Sequence, residues 1–148
     1  MATLVQDPGW EGDDRPRVLI EATEWHHRNV LAQLFARHGY ATATCAGPEG
    51  TDDHCPLAAG GDCRAAREAD VVVHTLRPTD ERNRQVLRAV RRRHPTLRVI
   101  AEVAEPAVKA RPEDYYRKCV VVSDPAMWES IVNELPEPVD DDVIQEWA

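Results

Sequence analysis

The sequence predicts an α/β fold: five parallel strands in one doubly wound sheet, ordered 2-1-3-4-5, in a single domain. Three observations carry this. Short, fully apolar runs such as Val18-Leu19-Ile20 and Val71-Val72-Val73 alternate with amphipathic helical segments. Such runs fit strands buried on both faces. Alternation of strand and helix implies right-handed βαβ units. Finally, 148 residues with 43% hydrophobic content suffice for one ordinary domain with a real core.

The elements follow in order. Residues 1–16 hold Asp7, Pro8, Gly9, Gly12, Asp13, Asp14 and Pro16, with no periodic apolar face, and read as a flexible N-terminal arm in which Val5 and Trp10 dock loosely or dangle. The domain spans 17–135. Arg17–Ile20 opens the first strand, and Thr23 is placed to cap a helix whose stripe is Trp25, Val30, Leu31, Leu34 and Phe35. Gly39 suits the helix C-terminus. Tyr40–Cys45 reads as a second strand. Residues 46–66 are irregular, with one short helix near Cys63–Glu68. Asp70–His74 is the third strand. Thr79 is the expected cap of a helix carrying Val86, Leu87 and Val90, ended by His94-Pro95. Leu97–Val103 is the fourth strand, 106–117 a short helix broken at Pro112, and Cys119–Val122 the fifth strand. Asp124-Pro125 begins a last helix with Met127, Trp128, Ile131, Val132 and Leu135. Residues 136–148 form an acidic tail.

Charge and composition exclude some functions. A net charge of −8 disfavours nucleic acid and membrane surfaces, since both are anionic. The N-terminus lacks a signal-peptide pattern, and no apolar run approaches the roughly 18 residues of a membrane span. A cytoplasmic protein is expected, its four cysteines reduced or metal-bound. Heavy arginine and alanine usage points to a G+C-rich bacterial genome. A nucleotide-binding glycine loop, a nucleophile elbow and a zinc-protease motif are all missing, so an enzyme is not expected.

Arg17–Glu24 followed by a helix and Gly39-Tyr40, Asp70-Val-Val-Val-His-Thr75-Leu, and Val120-Val-Val-Ser-Asp-Pro125 resemble the first, third and fifth strand regions of a response-regulator receiver domain, a flavodoxin-like fold. The resemblance covers about residues 17–135. It implies a phosphorylation pocket at one end of the sheet: two acidic residues after the first strand for Mg²⁺, an aspartate ending the third strand as phosphoryl acceptor, a hydroxyl on the fourth and a lysine on the fifth. This sequence departs at each. The acidic pair falls on Ala22 and Thr23, the acceptor on Thr75 beside His74, the hydroxyl near Val103 and Ala104, and the lysine at Ser123 or Asp124. Glu24 lies nearby. Glu21 is a poor replacement, because a one-residue slip turns a strand side chain to the other face. The resemblance therefore implies a pseudo-receiver: a regulatory or scaffold module without aspartyl phosphorylation and without a cofactor, acting on a protein partner. Tyr115, Tyr116 and Arg117 are the expected anchors on the family's usual partner face. A homodimer is compatible with this.

Two other constellations stand out. Cys45, Cys55 and Cys63, with His54, lie at or after the end of the second strand, on the ligand-binding side of such a sheet. They offer three readings: independent thiols, a zinc or iron–sulfur site, or a Cys55–Cys63 redox pair. A metal or redox sensor is thus the alternative function. Cys119 should sit on the order of 15 Å away, at the other strand end. His26, His27, His74 and Glu24 could share a metal or acid–base site, although adjacent helix residues diverge by about 100°. The basic run Arg88, Arg91, Arg92, Arg93, His94 suits an anionic partner, the acidic tail or a solvated helix end. Val143, Ile144 and Trp147 in the tail suit a peptide that folds onto a partner or back onto the domain.

Overall fold

The structure, a computed structural model, describes residues 7–49, 55–117 and 120–123. The elements run β1 (Arg17–Glu21), α1 (Trp25–Arg37), β2 (Ala41–Cys45), α2 (Arg64–Glu68), β3 (Val71–His74), α3 (Glu81–Arg93), β4 (Arg98–Glu102), α4 (Glu105–Ala110), α5 (Pro112–Tyr115) and β5 (Val120–Ser123). All strand pairs are parallel, in the order β2-β1-β3-β4-β5. The predicted fold class and strand order are therefore those observed. The last helix, the acidic tail with Trp147, Asp124, Cys119 and His54 lie outside the described residues.

Strand alternation divides the apolar side chains between two cores. Val18, Ile20, Val71, Val73 and Ile100 pack with Leu31 and Phe35 of α1. Leu19, Val72 and Val99 pack with Ala65 and Ala66 of α2 and with Val86, Leu87 and Val90 of α3. Consecutive strand residues thus serve opposite faces, which is why these strands read as continuous apolar runs.

Several local expectations are corrected. Glu24, not Thr23, caps α1: its carboxylate accepts from the backbone N–H groups of His26 and His27 at 3.0 and 2.8 Å. Asp80, not Thr79, caps α3 by accepting from Arg82 N–H at 2.9 Å. In both cases an anion one residue further on meets the partial positive charge of the helix start. Trp25 is 65% exposed and Val30 is also exposed, so the buried stripe of α1 narrows to Leu31 and Phe35. Trp25 is the first helical residue and belongs to neither core.

Trp10 makes the opposite correction. It is only 3% exposed and belongs to the core that holds Leu19, Ala41 and Leu57. Its ring also lies under the Arg17 guanidinium, 5.9 Å from the centroid. The loop between β2 and α2 likewise turns inward at Cys55 and Leu57. Gly47 has φ 74° and sits against Leu76, where a Cβ would come within 2.7 Å of Cδ2. No larger residue fits there without displacing Leu76. No helix among the described residues is long and apolar enough to cross a membrane.

Candidate functional site at the carboxyl ends of the strands

The parallel register aligns the ends of four strands. Glu21 closes β1 opposite Cys45 of β2 and His74 of β3, and His74 lies opposite Ala101 of β4. Residues in register across a sheet share a face, so Glu21 and His74 project together. Glu21 Oε1 lies 2.8 Å from His74 Nδ1, with the two side chains 4% and 6% exposed. With Glu21 ionised, Nδ1 donates, which fixes the tautomer and the ring plane.

This pair corrects two sequence expectations. Glu21 does not turn away from the pocket end but occupies it. The strand-terminal side chain on β3 is His74, not Thr75. Thr75 instead folds back onto β1, its N–H and Oγ1–H both donating to the Glu21 carbonyl at 2.9 and 2.8 Å.

The remaining expected positions are accounted for in turn. Ala22 is fully buried, and its N–H donates to the Cys45 carbonyl at 3.0 Å. Thr23 keeps a buried hydroxyl without a partner, while its carbonyl and that of Ala22 accept from Arg28 Nη1. Glu24 is spent on the helix cap, where the N–H groups of His27 and His26 hold its carboxyl below the usual range. On the fourth strand, β4 ends at Glu102, and Val103, which follows it, is buried in the same core as Ala101. Glu102 Oε1 lies 3.2 Å from His27 Nε2. The imidazoles are therefore distributed, His74 to Glu21 and His27 to Glu102, and do not converge on one site.

Sequence reasoning missed both imidazole–carboxylate pairs, and it missed Glu49. Asn83 Nδ2 donates to Glu49 Oε2 at 2.9 Å and to the Arg77 carbonyl at 3.0 Å, and Arg77 forms an ion pair with Glu49. These contacts tie the loop after β2 to the loop after β3. The available signal was the equal length of the runs ending in Glu21 and His74.

The donor set does not suit the Mg²⁺ that the receiver resemblance implies. A hard cation collects several oxygens. Here one carboxylate is committed to an imidazole, and Ala22 puts a methyl group where a second acid is expected. Among the described residues, no group of three or more His, Cys, Asp or Glu side chains is arranged to hold a metal ion.

The three described cysteines are free thiols. Cys55 and Cys63 are buried in the α2 and α3 core, with Cys45 packed against it. Each feels the Glu21 carboxylate, so all four groups share one neighbourhood. Burial, followed by Glu21, pushes the Cys45 thiol from 9.0 up to about 12. Burial also raises Cys55 and Cys63. Metal binding and redox exchange both require the thiolate, which this setting opposes.

The pH dependence follows directly. Below about pH 9 the thiols are protonated in both folded and unfolded chains, and they contribute no pH dependence. Above it the unfolded chain loses protons first, so stability falls as pH rises toward the folded value. The urea midpoint should drop from about pH 9 toward pH 12, and Cys45→Ala should make that drop shallower. An equally steep drop in Cys45→Ala would assign it to other groups.

Of the expected partner anchors, Tyr115 is buried in the core, a correction, while Tyr116 is 72% exposed and Arg117 is exposed with Nε donating to the Glu113 carbonyl at 2.7 Å. Proline at 112 starts the short α5, and its single turn directs Tyr115 inward and Tyr116 outward.

This architecture has the fold of receiver domains. The structure is similar to the Vibrio cholerae chemotaxis protein CheY4, with a TM-score of 0.56 and 11% identity over 82% of this chain and 98% of that one. It is similar to a Burkholderia pseudomallei response regulator with a phosphorylated aspartic acid, calcium ion and citrate, with a TM-score of 0.57 and 15% identity over 89% and 71%. A CheY-like receiver domain protein from Methanospirillum hungatei JF-1 gives a TM-score of 0.54 and 15% identity over 88% and 98%. No protein-family model and no curated protein sequence matches the chain. At these identities the shared property is the receiver-like fold.

Proposed function

We propose that the chain is a cytoplasmic, receiver-like regulatory or scaffold module that acts through protein contacts, without aspartyl phosphorylation, without a cofactor and without enzymatic turnover. The observation that carries this reading is the buried Glu21–His74 pair. At the strand end where the resemblance places an acceptor aspartate, an imidazole is held against a carboxylate. A carboxylate acceptor needs an oxygen free to attack phosphorus and a cation to offset the charge. The Glu21 carboxylate beside His74 is instead hydrogen-bonded to it and shielded from solvent. Exposed Tyr116 with Arg117 supplies an aromatic and a cationic anchor of the kind that dominates protein interfaces.

The test is incubation of the full chain with acetyl phosphate and Mg²⁺, read by intact mass. No added phosphoryl group is expected under conditions that label an ordinary receiver. Stable uptake on any carboxylate of this chain would overturn the reading.

A further inference from the structure

A second feature lies on the other side of the fold, where the end of α3, the turn into β4 and the segment before β5 enclose a cleft of about 430 Å³. Arg88, Arg91, Arg92, His94 and Arg117 line it, with Pro95 and Leu97. Four guanidinium groups thus converge in a chain whose net charge is −8.

The compensation is partial. The buried Asp114 carboxylate accepts from Arg88 Nε at 2.9 Å and Nη2 at 3.2 Å, and lies 3.6 Å from Arg91 Nη2. Glu113 contributes its carbonyl, which accepts from Arg91 Nη1 and Arg117 Nε. Its carboxylate acts on Arg88 only as a neighbouring charge. His94 is turned to Asp62, at 2.9 Å. Neither Arg92 nor Arg117 meets a carboxylate among the described residues.

A basic helix end often needs no further explanation, because cations there offset the helix dipole. That accounts for Arg92 and Arg93, which are exposed. It does not account for Arg91, whose side chain is only 15% exposed and whose Nε is buried with no hydrogen-bond partner among the described residues. Nor does it account for Arg117, brought in from a separate segment. Burial, then the nearby Arg117, disfavours the charge on Arg91, and Asp114 only partly offsets this. Additional negative charge in the cleft would relieve that repulsion.

We propose that this cleft binds a compact phosphate-bearing anion. Planar guanidinium forks match phosphate oxygens in charge and geometry. The volume lies in the small-molecule range. A long nucleic acid would meet the repulsion of the whole anionic chain, whereas a compact anion responds to charges within a Debye length of about 8 Å. This site goes beyond the regulatory reading and does not depend on the Glu21–His74 end.

The experiment is calorimetric titration of the full chain with inorganic pyrophosphate and, separately, adenosine 5′-diphosphate, at near-physiological salt. Saturable one-to-one binding is expected for at least one probe. Arg92→Glu and Arg117→Glu should each weaken it by about tenfold or more. Arg64→Glu, an exposed control on α2, should leave it unchanged. Urea unfolding of each variant confirms that the fold is kept, and Arg92→Gln with Arg117→Gln substitutes for any charge reversal that fails to fold. Four outcomes would overturn the proposal: absence of saturable binding, unaltered binding in the cleft variants, an equal loss in Arg64→Glu, or tighter binding of an aspartate-rich peptide than of both phosphate probes.

Discussion

Replacing Trp10 by alanine is expected to lower the unfolding free energy by about 3 kcal/mol, the low end of the range for a buried tryptophan. The residue sits in a segment of Pro, Gly and Asp, yet its ring is buried in the core that also holds Leu19, Ala41 and Leu57. Truncation removes that apolar contact, leaves a void over β1 and β2, and breaks the stacking with Arg17. The value stays at the low end because Trp10 Nε1 is buried without a hydrogen-bond partner, a penalty that alanine removes. Trp10→Phe separates these terms: it keeps most of the packing and drops the orphan N–H, so its cost should stay within about 1 kcal/mol. Urea denaturation of both variants provides the measurement. A change under about 0.5 kcal/mol for alanine is what a surface residue on a loose arm would give.

The contrast between Trp10 and Trp25 shows where the sequence is informative. The β-branched runs Val18–Ile20 and Val71–Val73 announce their strands because both faces of a parallel sheet are covered, and that pattern is local. Helical spacing correctly places Leu31 and Phe35, four residues apart, on the buried face of α1. Spacing does not say which part of a helix meets either core, so Trp25 fits the pattern and lies outside both. Nor does composition show that a turn-rich segment docks through a single aromatic.

The site was legible as a place and not as a set of contacts. Strand ends read from sequence are uncertain by a residue, and one residue decides which face a side chain occupies. Placing the acceptor at Thr75 rather than at the strand end His74 is one such miscount on β3. That Cys45, Cys55 and Cys63 lie at or after the end of the second strand was visible in the sequence. Their neutral state was not, since it arises from burial and from Glu21, which only the tertiary structure brings together. The same holds for Tyr115 and Tyr116, neighbours that α5 separates into core and surface.

The Glu21–His74 pair supports the second large prediction. Glu21→Ala should cost about 3 kcal/mol, because it leaves a buried imidazole without its partner and opens a void at the strand ends. His74→Ala should cost a similar amount, since it strands a buried carboxylate beside three thiols that are themselves poor hydrogen-bond donors. The double variant distinguishes a paired interaction from two independent packing losses. If the groups stabilise the fold chiefly through each other, removing both costs less than the sum of the single losses, with a coupling of about 1–3 kcal/mol. Glu21→Gln adds a charge test: it preserves an acceptor for Nδ1–H and nearly the same volume, so its cost should fall near 1 kcal/mol. It also removes the carboxylate that helps to hold the Cys45 thiol protonated, so the alkaline loss of stability should begin at the same pH but extend over a narrower span. Urea unfolding of the four variants at neutral pH, and of Glu21→Gln across the alkaline range, measures both effects. Strict additivity in the cycle would make His74 and Glu21 independent core residues and would remove the physical basis for treating the strand ends as a closed pair.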